Sequence, residues 1–136
     1  MENSLPSRFN PAELARSRQK SQLALPVSNF KRFSALLANA EGDVVAQAQF
    51  ELNDARQATA SGSLRTTVNV TCQRCMQTMV IELSDNFAFV FVDDEDQANE
   101  VEDDYDPVLL DDRSEIEAVD FIEDELILQL LSLIHI

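Results

Sequence analysis

Glycine is nearly absent from this chain: 136 residues contain only Gly42 and Gly62, together with four prolines. Two glycines cannot build a glycine-rich phosphate loop, so nucleotide binding of that kind is excluded. The same scarcity leaves no flexible low-complexity linker. There is no Trp and a single His, His135, beside the last residue. Nothing orients that imidazole, so a Ser/His/Asp arrangement lacks its base. The two cysteines are too few for a disulfide framework. No stretch reaches the roughly 18 apolar residues that a membrane-spanning helix needs, and Met1 to Pro6 lack the charged and apolar regions of a signal peptide. These absences predict a cytoplasmic protein with reduced thiols, no membrane partner, no small-molecule substrate and no enzymatic activity.

What is present is apolar bulk and negative charge. The apolar fraction is 45%, with eight Phe, which suits one domain with a Phe, Leu, Ile and Val core. The net charge of −15 is unevenly placed. Residues 1–75 carry nine basic and six acidic side chains, whereas 76–136 carry one basic residue, Arg113, and nineteen acidic ones. A nucleic acid would be repelled by the second half, so contact with a polyanion is expected only near the basic N-terminal part.

Residues 1–26 read as a basic N-terminal segment, partly helical or mobile. Asn10 is a candidate N-cap, with Pro11 and Glu13 in the first turn of a helix reaching about Lys20. The single α+β domain is expected over 27–136. Ser28 would cap a short helix through Phe30, Phe33, Leu36 and Leu37, which share one face. Strict alternation over Val44–Leu52 and over Leu64–Cys72 predicts two antiparallel strands. A third runs from Thr78 to Phe91, where Met79, Ile81, Leu83, Phe87, Phe89 and Phe91 share a face. Asp85 interrupts that face, and Ser84-Asp85-Asn86 suggests a bulge or turn. The fold class is therefore α+β: an antiparallel β-meander of three or more strands, packed with the short helix and an apolar C-terminal helix over Ala118–Ile134. Residues 93–106 are so acidic that a disordered or mobile loop is expected. The chain stops inside an apolar run, Leu133-Ile134-His135-Ile136, which suggests a native chain that continues.

Cys72-Gln73-Arg74-Cys75 is the one motif with metal-ligand spacing. Two thiolates on a tight turn supply half of a tetrahedral zinc site, and such sites need four ligands. Zinc is thus a candidate cofactor with Cys72 and Cys75 as an incomplete ligand set; the other reading is a pair of small side chains ending a strand. A thioredoxin-like role requires a helix after the motif, and the alternating residues that follow predict a strand. Arg16, Arg18, Lys20, Lys31, Arg32, Arg65 and Arg74 are candidates for contact with RNA or a partner. Asp106, Glu123, Asp124 and Glu125 are candidates for binding a basic partner.

The order of these parts resembles the YceD-like large ribosomal RNA subunit accumulation proteins of bacteria. The resemblance rests on the strand entering Thr71-Cys72-Gln73-Arg74-Cys75, the apolar strand after it, the acidic loop with Asp104-Tyr105-Asp106-Pro107, and above all Val119-Asp120-Phe121-Ile122-Glu123-Asp124-Glu125-Leu126-Ile127-Leu128. It covers Asn10 to Leu131. It implies a non-catalytic ribosome-biogenesis factor for synthesis, processing or stability of large-subunit (23S) ribosomal RNA, with the RNA precursor or a ribosomal or assembly protein as partner. Many members carry a further Cys or Cys pair beyond the last helix, which would complete a metal site; this chain departs there. The alternative is a small zinc-binding CxxC interaction module outside ribosome assembly.

Overall fold

A computed structural model describes residues 3–72, 74–101, 104–111 and 113–134. Its elements are β1 (Asn3–Ser4), β2 (Arg8–Phe9), α1 (Pro11–Arg16), β3 (Lys20–Pro26), a 3₁₀ turn (Val27–Asn29), α2 (Lys31–Ser34), β4 (Asp43–Leu52), β5 (Ala58–Thr71), β6 (Thr78–Val92), α3 (Glu95–Asn99), β7 (Asp106–Leu109), β8 (Ile116–Glu117) and α4 (Ala118–Ile134). One six-stranded sheet runs β1-β3-β4-β5-β6-β7, and β2 pairs with β8 in a separate ribbon. The centre, β3 to β6, is antiparallel; β1 and β7 lie parallel to their neighbours at the two edges. This is the expected α+β meander, widened by three strands.

Alternation sets which face is covered. Val44, Ala46, Phe50, Leu64, Val68, Leu83, Phe87 and Phe89 point into the core, while Arg65, Thr67, Glu82 and Ser84 stay exposed. Helix α4 closes that face with Phe121, Ile122, Leu126 and Leu130. Phe121 is the hub: its ring centroid lies 4.8 Å from Phe89, 5.7 Å from Phe91, 6.2 Å from Phe9 and 6.3 Å from Phe87. Offset and edge-on pairs at these separations add to the gain from area burial. Gly62 lets the strands approach closely, since a Cβ there would lie 1.8 Å from the Gln47 carbonyl oxygen.

Several expectations are corrected. Residues 20–26 are a full sheet strand paired with β4 from Lys20↔Gln49 to Pro26↔Asp43, and Phe9 is buried in the aromatic cluster, so the N-terminal segment is built into the domain. Helix α1 has the Asn10 cap, whose Oδ1 accepts from Ala12 N–H at 2.9 Å, but it ends at Arg16. Arg18, at φ +51°, turns the chain into β3. The helix expected from Ser28 to Leu37 is one turn, Lys31–Ser34, and Leu36 is exposed. Its Phe33 N–H is satisfied by Glu123 on α4, not by Ser28. Strand β6 has no bulge at Asp85, which stays in register opposite Leu64. Finally, the acidic segment includes a helix capped by Asp94, whose Oδ1 accepts from Gln97 N–H at 2.8 Å. That helix packs on β6 and β7, and Val90 and Val92 on the far face of β6 are buried, which accounts for the unbroken apolar run 87–92. Glu102 and Asp103 lie outside the described residues.

Candidate functional site

A concavity of about 680 Å³ opens between β7, the β7–β8 connection and α4. Its apolar part includes Phe89, Pro107, Leu109, Phe121 and Leu128, of which Leu109 and Leu128 are largely exposed. Seven of its sixteen lining residues are acidic and one, Arg8, is basic. Arg8 closes one end: its guanidinium bonds Asp111 and reaches Glu115 Oε1 at 3.3 Å. The Asp111 carboxyl is held below the usual carboxylate range, chiefly because the Glu115 N–H donates to it at 2.9 Å, with Arg113 N–H and Arg8 adding to the effect.

At the base of the groove, Glu125 meets Asp85 from β6 and Asp106 from β7. Burial, then a hydrogen bond to Asp85, then the charges of Asp85 and Asp106 push the Glu125 carboxyl up to about 7. Like charges in contact disfavour ionisation of the helix carboxyl, so the shift of Glu125 is set from two neighbouring strands. Asp85, the polar residue on an otherwise apolar strand face, is therefore the partner of a helix carboxyl.

The acidic candidates divide. Asp106, Asp124 and Glu125 line the groove, but Glu123 points inward, with only 3% of its surface exposed. It accepts from Arg32 Nε and from Phe33 N–H, both at 3.0 Å. Arg32 Nη2 also donates to Asp124 Oδ1 at 2.9 Å and lies 3.8 Å from Asp120. Arg32 and Glu123 thus join α2 to α4, and neither is a free contact residue as expected from sequence. The remaining cations do not converge. Lys20 and Arg65 share the open face of the sheet with Gln47, Gln49 and Ser63. Arg16 ends α1, Arg18 sits in the turn after it, and Lys31 opens α2. Arg74 is at the tip of the β5–β6 hairpin.

That tip is held by Cys72 N–H to Gln77 O and Met76 N–H to Cys72 O, both 2.8 Å, with Met76 at φ +59°. The backbone N–H of Cys75, then that of Arg74, then the Cys75 thiol, stabilise the Cys72 thiolate and lower its pKa. Cys72 is half-buried and Cys75 exposed. The turn joins two strands, as expected. Among the described residues no group of three or more His, Cys, Asp or Glu side chains could hold a metal ion, and His135 lies outside them. The pair could supply two sulfur ligands of four.

Sequence reasoning missed Arg8, Asp85, Asp111 and Glu115. Asp85 carried a signal, a lone acid on an apolar face. Arg8 carried none, because its partners are over a hundred residues away.

Fold and site together define a small α+β protein whose main surface feature is an acidic, apolar-floored groove between a sheet edge and a helix. The chain belongs to the family described as "Large ribosomal RNA subunit accumulation protein YceD", whose model matches residues 60–131, from β5 through α4. It is also similar to the Haemophilus influenzae protein of that name, with 25% identity over 126 residues, covering 93% of this chain and 72% of the relative. No solved structure matches. No helix among the described residues is long and apolar enough to cross a membrane.

Proposed function

We propose that this protein is a non-catalytic ribosome-biogenesis factor that promotes synthesis, processing or stability of large-subunit (23S) ribosomal RNA in the bacterial cytoplasm, and that it works by holding a basic ribosomal or assembly protein. The family name supports the first part. The acidic groove carries the second. Its seven acidic side chains face one lining cation, Arg8, with Arg32 beside Asp120 and Asp124, so negative charge stays in excess. Such a wall repels phosphate and attracts lysine and arginine. RNA contact, if made directly, falls to the exposed cations outside the groove: Lys20 and Arg65 on the open sheet face, with Arg16, Arg18, Lys31 and Arg74 around it.

The test is sedimentation of a tagged chain with precursor large subunits, alongside 23S levels in a deletion strain. Co-migration and a fall in 23S RNA are expected; free sedimentation with unchanged RNA would sink the reading. A second reading, a zinc-binding interaction module outside ribosome assembly, draws on the Cys72 sulfur and its two backbone donors. Metal analysis checks it: zinc bound with Cys72 and Cys75 and lost on Cys72→Ser favours the module.

A further inference from the structure

The groove's shape and chemistry say more about its occupant than its charge alone does. Its volume falls within the few-hundred to thousand Å³ range of ligand sites. Its walls differ: β7 presents Pro107 and Leu109, and α4 presents Leu128 with Asp120 and Asp124. Leu109 and Leu128 leave 49% and 61% of their surfaces exposed, so apolar area remains to be covered across the opening. Strand β7 ends the sheet, but Pro107 has no N–H to offer, which blunts that edge against strand addition. Affinity must then come from an apolar side chain on the floor and from charge around it, with backbone pairing secondary.

We infer that this groove seats one segment of a basic partner protein, an apolar side chain resting on Phe89, Phe121 and Leu128 and flanking Lys or Arg side chains meeting Asp106, Glu117 and Asp120. The inference rests on the protein-partner reading and adds the site and the residue pattern it selects. Charge complementarity chooses the occupant: nucleic acid and a second copy of this strongly acidic surface are both repelled. Glu125 gives the site a proton response. Asp85 and Asp106 face it from β6 and β7, and Gln129 is its neighbour on α4. A cation set beside Glu125 favours its ionised form, so binding releases a proton and strengthens as pH rises through 7.

The experiment uses the whole chain and two short Lys-rich peptides, one with a central Leu and one with Ser in its place. Binding is followed by calorimetry and by backbone amide shifts. The Leu peptide is expected to move amides of β7 and α4 and to bind about tenfold more tightly than the Ser peptide, the worth of one well-buried aliphatic side chain. Asp106→Asn with Glu117→Gln should weaken it by up to about tenfold. Equal binding of both peptides, shifts centred on 94–101 instead of the groove, or tighter binding of an RNA oligonucleotide there would overturn the inference. If the peptides fail while co-sedimentation with precursor particles persists in the Asp106/Glu117 variant, the groove assignment falls and the protein-partner reading stands. Loss of co-sedimentation by the unaltered chain sinks that reading itself.

Discussion

Replacing Glu125 by Gln should stabilise the protein at alkaline pH and leave it almost unchanged in acid. In the fold this carboxyl titrates near 7, against 4.5 as its ordinary value, because it is partly buried against Asp85 and Asp106. A carboxyl raised in this way holds its proton longer in the folded state than in the unfolded one. The contribution of Glu125 to stability therefore falls as pH climbs from about 4.5 to about 7, and flattens above. At about 1.4 kcal/mol per pKa unit, the full shift would correspond to roughly 3 kcal/mol. The groove leaves Glu125 partly solvated, which reduces the expected gain to about 1–2 kcal/mol at pH 8. At pH 5 the protonated Glu and the Gln amide are near equivalents, since each can donate to Asp85, and the difference shrinks to a few tenths of a kcal/mol. Urea unfolding of both proteins at pH 5, 6, 7 and 8 measures this directly. A stabilisation of the same size at every pH, or a loss at pH 8, would refute the raised Glu125 carboxyl and its contact with Asp85 and Asp106.

Glu123→Ala should cost about 2–4 kcal/mol, because it strands the Phe33 N–H and leaves Arg32 without its buried acceptor; Asp124→Ala, on the exposed side of the same arginine, should cost less than about 1 kcal/mol by the same unfolding assay. Gly62→Ala should lower the midpoint sharply, as its Cβ has no room beside the Gln47 carbonyl; a variant as stable as the parent would contradict the close approach. In Cys75→Ser, thiolate absorbance should show Cys72 still titrating below the free-cysteine value, because its main stabilising donors are backbone N–H groups. A midpoint at or above the free value would remove them. Phe121→Ala should cost about 3–5 kcal/mol, the usual range for emptying an aromatic core position.

The elements with period-two alternation were readable without coordinates. Strands β4, β5 and β6 and helix α4 follow from where Val, Leu, Ile and Phe fall. Strand β3 was also written in Ser21, Leu23 and Leu25, but Asn10-Pro11 started a helix whose end depends on Arg18 adopting a positive φ, a choice with no strong local mark. The cap of α2 comes from Glu123, ninety residues on, so local capping rules pointed to Ser28 instead. At the groove, the acidity of Asp106, Asp124 and Glu125 was plain; their grouping with Asp85, and the closure by Arg8, depend on pairings between distant strands. Glu123 and Arg32 looked like surface charges because composition cannot tell a solvated ion from one that ties two helices together.

The ribbon that pairs Arg8 with Glu117 and Phe9 with Ile116, with Ala118 N–H donating to Ser7 O, also orders events during synthesis. Strands β3 to β6 pair with their neighbours in sequence and can form as each leaves the ribosome. The ribbon cannot: its two halves are made more than a hundred residues apart. Until Phe121 follows, Phe9 lacks one of its ring neighbours and the groove lacks its helical wall. The groove is thus complete only when the strand Ile116–Glu117 and the helix after it have met a segment made more than a hundred residues earlier.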